Sequence, residues 1–394
     1  MDFSRVALAD DDQAFQDELR ALLGTIVTDE VLRADRESGE NFDEGVHRAL
    51  GAGGYLAGDF HTGTPEGFSR VRKRIWDLEI GRAHTPWFHW GTTAMVGQAV
   101  ARFASAELAA EILPPMLAGD VRLCLGYTEP DGGSDVATCK TRAVRDGDEW
   151  VINGSKMFTS NAQNAQYVFL ITNTDPQAPK HQSLTMFLVP LDSPGVEIQG
   201  IRTIDGDRTN ITYYSDVRVG DRYRIGEVNG GWTVLRGALD AEHGTLERDE
   251  DGLDKIATMS EHLALMAEAA DRIAAVAATP DETGTRLLDD DSVRHRLGRG
   301  IARMEAAMST PEMYGRVAIA EALRGVAPEF MDLLGTAGCL PVGAEGAADD
   351  GGAEYLFRLA GPTAIYAGSV DVFRNMIAQH ALGLGKPAYA GVKK

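Results

Sequence analysis

Apolar positions in the first third of the chain recur at helical spacing. Phe15, Leu19, Leu22, Leu23 and Ile26 fall on one face of a 3.6-residue repeat, which predicts a helix. The stretches 68–80 and 94–117 repeat the style, so residues 11–118 read as mostly helical. From 121 to 228 the period drops to two. Strands are predicted at 149–152, 167–172, 184–189, 196–201 and 209–214, separated by Asn-Gly, Pro-Gly and Asp-Gly turns. Close-set strands without intervening helices predict an antiparallel sheet or barrel. Gly230-Gly231-Trp232 marks a boundary, beyond which helical periods return over 232–276, 289–325 and 362–382. Pro280, Pro311, Pro328 and the glycine-rich 343–352 read as breaks or connectors. The expected class is α+β: a helical domain over 1–120, a β domain over 121–230 and a helical bundle over 231–394.

One stretch, 121–161, carries most of the candidate chemistry. An apolar strand pattern breaks into Thr128-Glu129-Pro130-Asp131-Gly132-Gly133-Ser134-Asp135, and two further strand patterns follow around Asp146-Gly147-Asp148. Pro130 fixes one backbone angle, and the glycines allow positive ones, so backbone N–H groups can line up toward an anion or a carbonyl. Thr128 and Ser134 add hydroxyls on either side. That arrangement suits a flat polar heterocycle and a phosphate, although a lone Gly-Gly-Ser is more often an ordinary turn.

Composition narrows the partners. A net charge of −21 argues against a nucleic-acid groove and an anionic membrane surface. Cys124, Cys139 and Cys339 are too few and too scattered for a disulfide framework or a zinc site, and Cys124 reads as a buried small hydrophobe. The N-terminus lacks a basic and an apolar signal region, and no apolar run reaches the ~18 residues of a membrane span. A reducing cytoplasm is the expected compartment. Trp87, Phe88, His89 and Trp90 read as core aromatics rather than a ligand box.

Taken in order, YTEPDGGSD, INGSKMFTSN, GGW and YAGSVDVFRNMIA (366–378) resemble the acyl-CoA dehydrogenase family, over nearly the whole chain. The resemblance implies an N-terminal helical domain, a central β domain and a C-terminal four-helix bundle. FAD would lie extended between the β domain and the bundle, its adenosine end reaching a neighbouring subunit. The implied reaction is α,β-dehydrogenation of an acyl-CoA thioester: a carboxylate takes the α-proton, hydride leaves the β-carbon for flavin N5, and an electron-transfer flavoprotein receives the electrons. Carried over residue by residue, Leu125, Tyr127, Thr128 and Gly133 would face the cofactor. Ser134 would lie between the FAD pyrophosphate and CoA. Phe158 stands where the family usually has a flavin-shielding Trp, followed by Thr159, and Ser160 stands where it has a Thr near N5. Both replacements keep a π-face and a hydroxyl.

The resemblance also exposes departures. One form of the family places its catalytic glutamate between the Tyr and Gly of the C-terminal motif, where this chain has Ala367. Another carries the base in a Leu-Asp-x-Glu-Arg pattern on the first long helix of the bundle. Here that reads Leu239-Asp240-Ala241-Glu242-His243, making Glu242 the candidate base. A dry pocket would raise its pKa toward a value useful for proton abstraction. The competing reading is a solvated helix carboxylate among many. Glu247 is the reserve candidate, rotated from Glu242 by about 140°. Asp240, His243, Ala367 and Gly368 would join Ser134 on the substrate side, with the Ala367 N–H donating to the thioester oxygen. Ser369 and Asp371 stand where a hydroxyl and an amide usually contact FAD, and an ionised Asp371 cannot donate.

The family's Arg-x-x-Phe-Gly and Gln-x-x-Gly-Gly-x-Gly segments are not intact; the corresponding regions read TGTRLLDDDSVRHRL (283–297) and MDLLGTAGCLPVG (331–343). Asp289–Asp291 would repel a pyrophosphate unless Arg286, Arg294 or Arg296 offsets them. These losses, with LLDDDSVRHRL and DRTNITYYSDVRV, resemble actinobacterial steroid side-chain acyl-CoA dehydrogenases that form mixed assemblies with a related subunit. A homo- or hetero-oligomer, such as a tetramer, is therefore expected. A non-catalytic structural subunit and a flavin oxygenase on the same scaffold remain the alternatives.

Overall fold

The computed structural model describes residues 7–87, 89–242, 261–310 and 312–385, with the side chains of 239–242, 261, 263, 264 and 312 outside the described atoms. Two compact units emerge, Met1–Ala241 and Glu242–Lys394. In the first, helices α1 (Asp10–Ile26), α2 (Asp29–Ser38), α3 (Glu44–Ala52), α4 (Tyr55–Phe60), α5 (Arg70–Arg82), α6 (His89–Phe103) and α7 (Ala106–Leu117) precede the sheet. The continuous 94–117 pattern is in fact two helices. The Ser105 hydroxyl accepts the Leu108 N–H and starts α7 as an N-cap, so the chain turns there. His89 is buried, as expected, with Nε2 2.8 Å from the Glu40 carbonyl oxygen. Phe88 lies outside the described residues.

The sheet comprises β1 (Leu123–Gly126), β2 (Arg142–Asp146), β3 (Glu149–Met157), β4 (Tyr167–Asn173), β5 (Leu184–Pro190), β6 (Val196–Arg202), β7 (Arg208–Gly220) and β8 (Arg224–Ile225). Its order is β6-β7-β3-β2-β4-β5-β8, with β1 added on β4. Pairing is mostly antiparallel, but β1 runs parallel to β4, with Leu125 opposite Phe169, and β2 touches β4 in parallel. Alternation along β4 and β5 feeds two cores. Phe169, Ile171, Leu184, Met186 and Leu188 join the helical layer, whereas Val168, Leu170, Phe187 and Val189 pack with Trp150, Ile152 and Val217 on the opposite side. With both faces covered, these strands are continuously apolar. The buried Thr93 hydroxyl, 3.1 Å from both the Leu123 carbonyl oxygen and the Leu123 nitrogen, fastens β1 to α6.

Helix α8 (Gly231–Glu242) begins against the sheet and sends Val234, Leu235 and Ala238 into the helical core. A Cβ on Gly231 would lie 2.8 Å from the Leu184 carbonyl, so the approach requires glycine.

The second unit contains α9 (Glu261–Ala278), α10 (Asp291–Met308), α11 (Glu312–Leu333), α12 (Gly352–Thr363) and α13 (Val370–Met376). Met266, Ile273, Leu297, Met304, Leu323, Phe330 and Leu356 form its core. The 289–325 pattern is interrupted after Met308, and 362–382 divides into the end of α12, a loop and α13. Pro328 lies inside α11 rather than ending it.

Candidate active site

The Leu125–Ser134 segment leaves β1 half-buried at Leu125, Tyr127 and Thr128, then turns sharply. Glu129 and Gly132 exchange backbone hydrogen bonds of 3.1 and 3.0 Å, which places Pro130 and Asp131 at the tip. The Glu129 carboxylate is buried below this turn and accepts the Lys140 N–H at 2.7 Å, the Thr141 N–H at 2.8 Å and the Lys156 ammonium at 2.8 Å. Burial alone would push its pKa up. The adjacent Lys156 charge and hydrogen bond, with Thr141, instead hold it at about 2. Cys139 Sγ also faces Glu129, at 3.2 Å, and its burial pushes the thiol up to about 11. Gly133 and Ser134 are exposed, between an Asp131–Lys140 pair of 2.6 Å and an Asp135–Lys180 pair. A cleft of about 210 Å³ opens beside the turn, lined by Tyr127, Glu129, Val136, Thr138, Cys139 and Lys140.

The second motif segment meets the first directly. Where β3 ends, the Met157 N–H donates to the Thr128 carbonyl at 2.8 Å. Phe158 then adopts φ +59° and is 54% exposed, and Asn161 adopts φ +65°. The turn between them is held by Asn210. Its carbonyl accepts the Thr159 N–H at 2.9 Å, and its side-chain amide donates to the Thr159 carbonyl at 2.9 Å. Thr159 is buried and turns its side chain into the sheet, where Oγ1 lies 3.2 Å from Thr212 Oγ1, while Asn210 takes both its N–H and its carbonyl. Ser160 Oγ is half-buried, 2.9 Å from Thr209 Oγ1.

These residues fit a flavin. Phe158 is an aromatic plane presented to the outside by a backbone conformation that an L-residue adopts only when its surroundings enforce it. Beside it, Thr128 and Ser160 supply hydroxyls on a rigid sheet end. Such a plane with a polar rim suits a flat ring bearing hydrogen-bonding edges.

In the second unit, Ala367 (φ +50°) and Gly368 (φ +79°) form a left-handed turn between α12 and α13. The Ser369 hydroxyl accepts the Val372 N–H and caps α13, while Asp371 is exposed, 3.4 Å from Arg374. Buried Arg316 and His262 reach this turn from α11 and α9. Glu242 is the last residue of α8; its side chain and that of Asp240 lie outside the described atoms, and His243 and Glu247 lie outside the described residues.

Sequence reasoning did not single out Glu129 and Lys156 as a pair, nor Asn210, Arg316 or His262. Lys156 sits in an alternating strand, where a charged residue ordinarily faces water, so nothing local marks it as buried. Among the described residues no cluster of metal-ligating side chains occurs, and no helix is long and apolar enough to cross a membrane.

Comparison with known proteins gives the family and the fold. The sequence matches the models for the acyl-CoA dehydrogenase N-terminal domain over residues 9–120, the middle domain over 124–217 and the C-terminal domain over 253–382. It is 30% identical to acyl-CoA dehydrogenase FadE26 of Mycobacterium tuberculosis, over 96% of this chain and 98% of that protein. It is 32% identical to acyl-CoA dehydrogenase IpdE1 of the same organism, over 82% of each chain. The fold is similar to a structure described as the Tcur3481-Tcur3483 steroid ACAD, with TM-score 0.81, 29% identity and coverage of 98% of this chain and 100% of that one. It is also similar to the ChsE4-ChsE5 complex from Mycobacterium tuberculosis, with TM-score 0.81, 28% identity and coverage of 98% and 100%. With three consecutive family domains spanning most of its length, the chain belongs to the acyl-CoA dehydrogenase family of flavin-dependent oxidoreductases.

Proposed function

We propose that this chain catalyses FAD-dependent α,β-dehydrogenation of an acyl-CoA thioester, with Glu242 as the base. When bound, FAD supplies the hydride acceptor for the β-carbon. Glu242 takes the α-proton. The Ala367 N–H donates to the thioester oxygen, where negative charge grows as the proton leaves. Phe158 covers one face of the cofactor ring, Thr128 and Ser160 meet its polar edge, and Ser134 contacts CoA. The observation that carries this reading is the Met157–Thr128 backbone bond, which joins the two motif segments and leaves Phe158 exposed beside them. Alanine at 367 cannot move a proton, so a carboxylate elsewhere must, and Glu242 holds the alternative family position.

The substrate class is a bulky acyl group of the steroid side-chain kind, and the working form is a mixed assembly with a related chain; an electron-transfer flavoprotein accepts the electrons. Supporting this is the state of three arginines near the expected adenosine end. Arg286 pairs with Asp289 at 2.7 Å, Arg296 with Asp332 at 2.7 Å, and Arg294 with Asp291. Each is already neutralised within its own chain. Two structurally similar proteins are also named as pairs of chains. The test is to express the chain alone and with a related acyl-CoA dehydrogenase chain, then read flavin per chain from the visible spectrum. Substoichiometric flavin alone and full flavin together are expected. Full, tight FAD occupancy in the lone chain would overturn the mixed assembly.

A further inference from the structure

The Tyr366–Gly368 turn is gripped from behind by a buried cation. Arg316 has no exposed surface, and its Nη2 donates to the Tyr366 carbonyl at 2.7 Å and to the Gly368 carbonyl at 2.9 Å. The guanidinium lies 5.6 Å from the Phe373 ring centre, against α13. His262 Nε2 meets the Tyr366 hydroxyl at 2.6 Å, so the residue before Ala367 is held at both ends. Ala367 keeps its left-handed φ between two anchored carbonyls.

The Tyr366 carbonyl and the Ala367 N–H belong to one peptide group. A trans peptide is planar, with its C=O and N–H pointing in opposite directions, and no cis bond occurs among the described residues. With the oxygen directed at Arg316, the N–H is aimed away from it. Among the described residues, no backbone acceptor takes that N–H. A hydrogen bond from a cation to the oxygen polarises the whole amide and makes its N–H a stronger donor.

We propose that Arg316 is a positioning residue that orients and polarises the Tyr366–Ala367 peptide, so that the Ala367 N–H is a strengthened donor to the thioester oxygen. The proposal rests on the acyl-CoA reading above. A helix-to-loop staple alone would affect stability; this role also alters the electronic state of one peptide and the rate of one step.

The test uses the FAD-loaded mixed assembly, with only this chain labelled with 13C-carbonyl tyrosine and 15N-alanine. Only two Tyr-Ala peptides exist, Tyr366–Ala367 and Tyr389–Ala390, and Ala390→Ser removes the second signal. Carbon–nitrogen-filtered solid-state NMR of the sedimented protein then reads one carbonyl. Arg316→Met should move that resonance upfield. With straight-chain and steroid side-chain acyl-CoA thioesters, kcat should fall about 10- to 100-fold, with KM within about twofold and flavin content retained. Arg316→Lys keeps a single cationic donor and should lie between; it carries both readouts if the Met variant does not fold. An unchanged carbonyl resonance, or a shifted one with unchanged kcat, overturns the proposal. If the wild type oxidises none of these thioesters, the acyl-CoA reading fails instead, and the carbonyl shift still decides whether Arg316 polarises the peptide.

Discussion

The Lys156 ammonium, with no exposed side-chain surface, lies 2.8 Å from the Glu129 carboxylate and so ties the two motif segments together below the Met157–Thr128 backbone bond. Breaking a buried pair leaves an uncompensated charge. Lys156→Met is expected to lose about 3–5 kcal/mol of stability, and Glu129→Gln in the same chain should restore part of it. Urea denaturation of the single and double variants measures both. An unaffected single variant would mean that the pair anchors nothing.

The same carboxylate sets a pH dependence. Its folded pKa is depressed from an ordinary 4.5 to about 2, so its contribution is present above pH 4.5 and is lost as pH falls toward 2. Lys156→Met should shrink that acid-side loss. Thermal melting of both forms between pH 6 and 3 checks the difference in slope.

Phe158 is more than half exposed, so truncating it removes little core packing. Phe158→Ala should leave urea stability nearly unchanged while weakening flavin retention about 3- to 10-fold, the value of one aromatic contact of roughly 1 kcal/mol. Flavin fluorescence released on dilution measures this. A large fall in stability with unchanged flavin retention would assign the ring to the core.

Gly231 lies where α8 starts against β5, and an added Cβ would fall 2.8 Å from the Leu184 carbonyl, a backbone atom with little room to yield. Gly231→Ala should cost about 1–3 kcal/mol by overpacking. Gly230→Ala, whose nearest neighbour would be 3.1 Å away, should cost less. Equal effects in chemical denaturation would show that the close approach is not what the motif glycine serves.

Much of this architecture was legible in residue order. The change from helical to two-residue period located the sheet, and the motif sequence around Thr128 and Phe158 located the candidate site. The Ser105 cap was also readable, because Ser-Ala-Glu-Leu is a helix-start pattern, yet the continuous apolar face masked it. The parallel pairing of β1 with β4 was not legible, since partners such as Leu125 and Phe169 are far apart in sequence. Nor was the burial of Lys156 and Arg316. A lone cation in a strand or helix carries no local sign of the carboxylate or carbonyls that satisfy it.

On the proposed reading a helix glutamate, not the C-terminal loop, supplies the base. Anaerobic mixing of the flavin-loaded mixed assembly with steroid side-chain acyl-CoA thioesters tests this through bleaching of the visible flavin band. Wild type and Glu247→Gln should bleach at similar rates, and Glu242→Gln should retain its flavin but bleach at least about 10³-fold more slowly. Bleaching of Glu242→Gln at the wild-type rate would rule out Glu242 as the base.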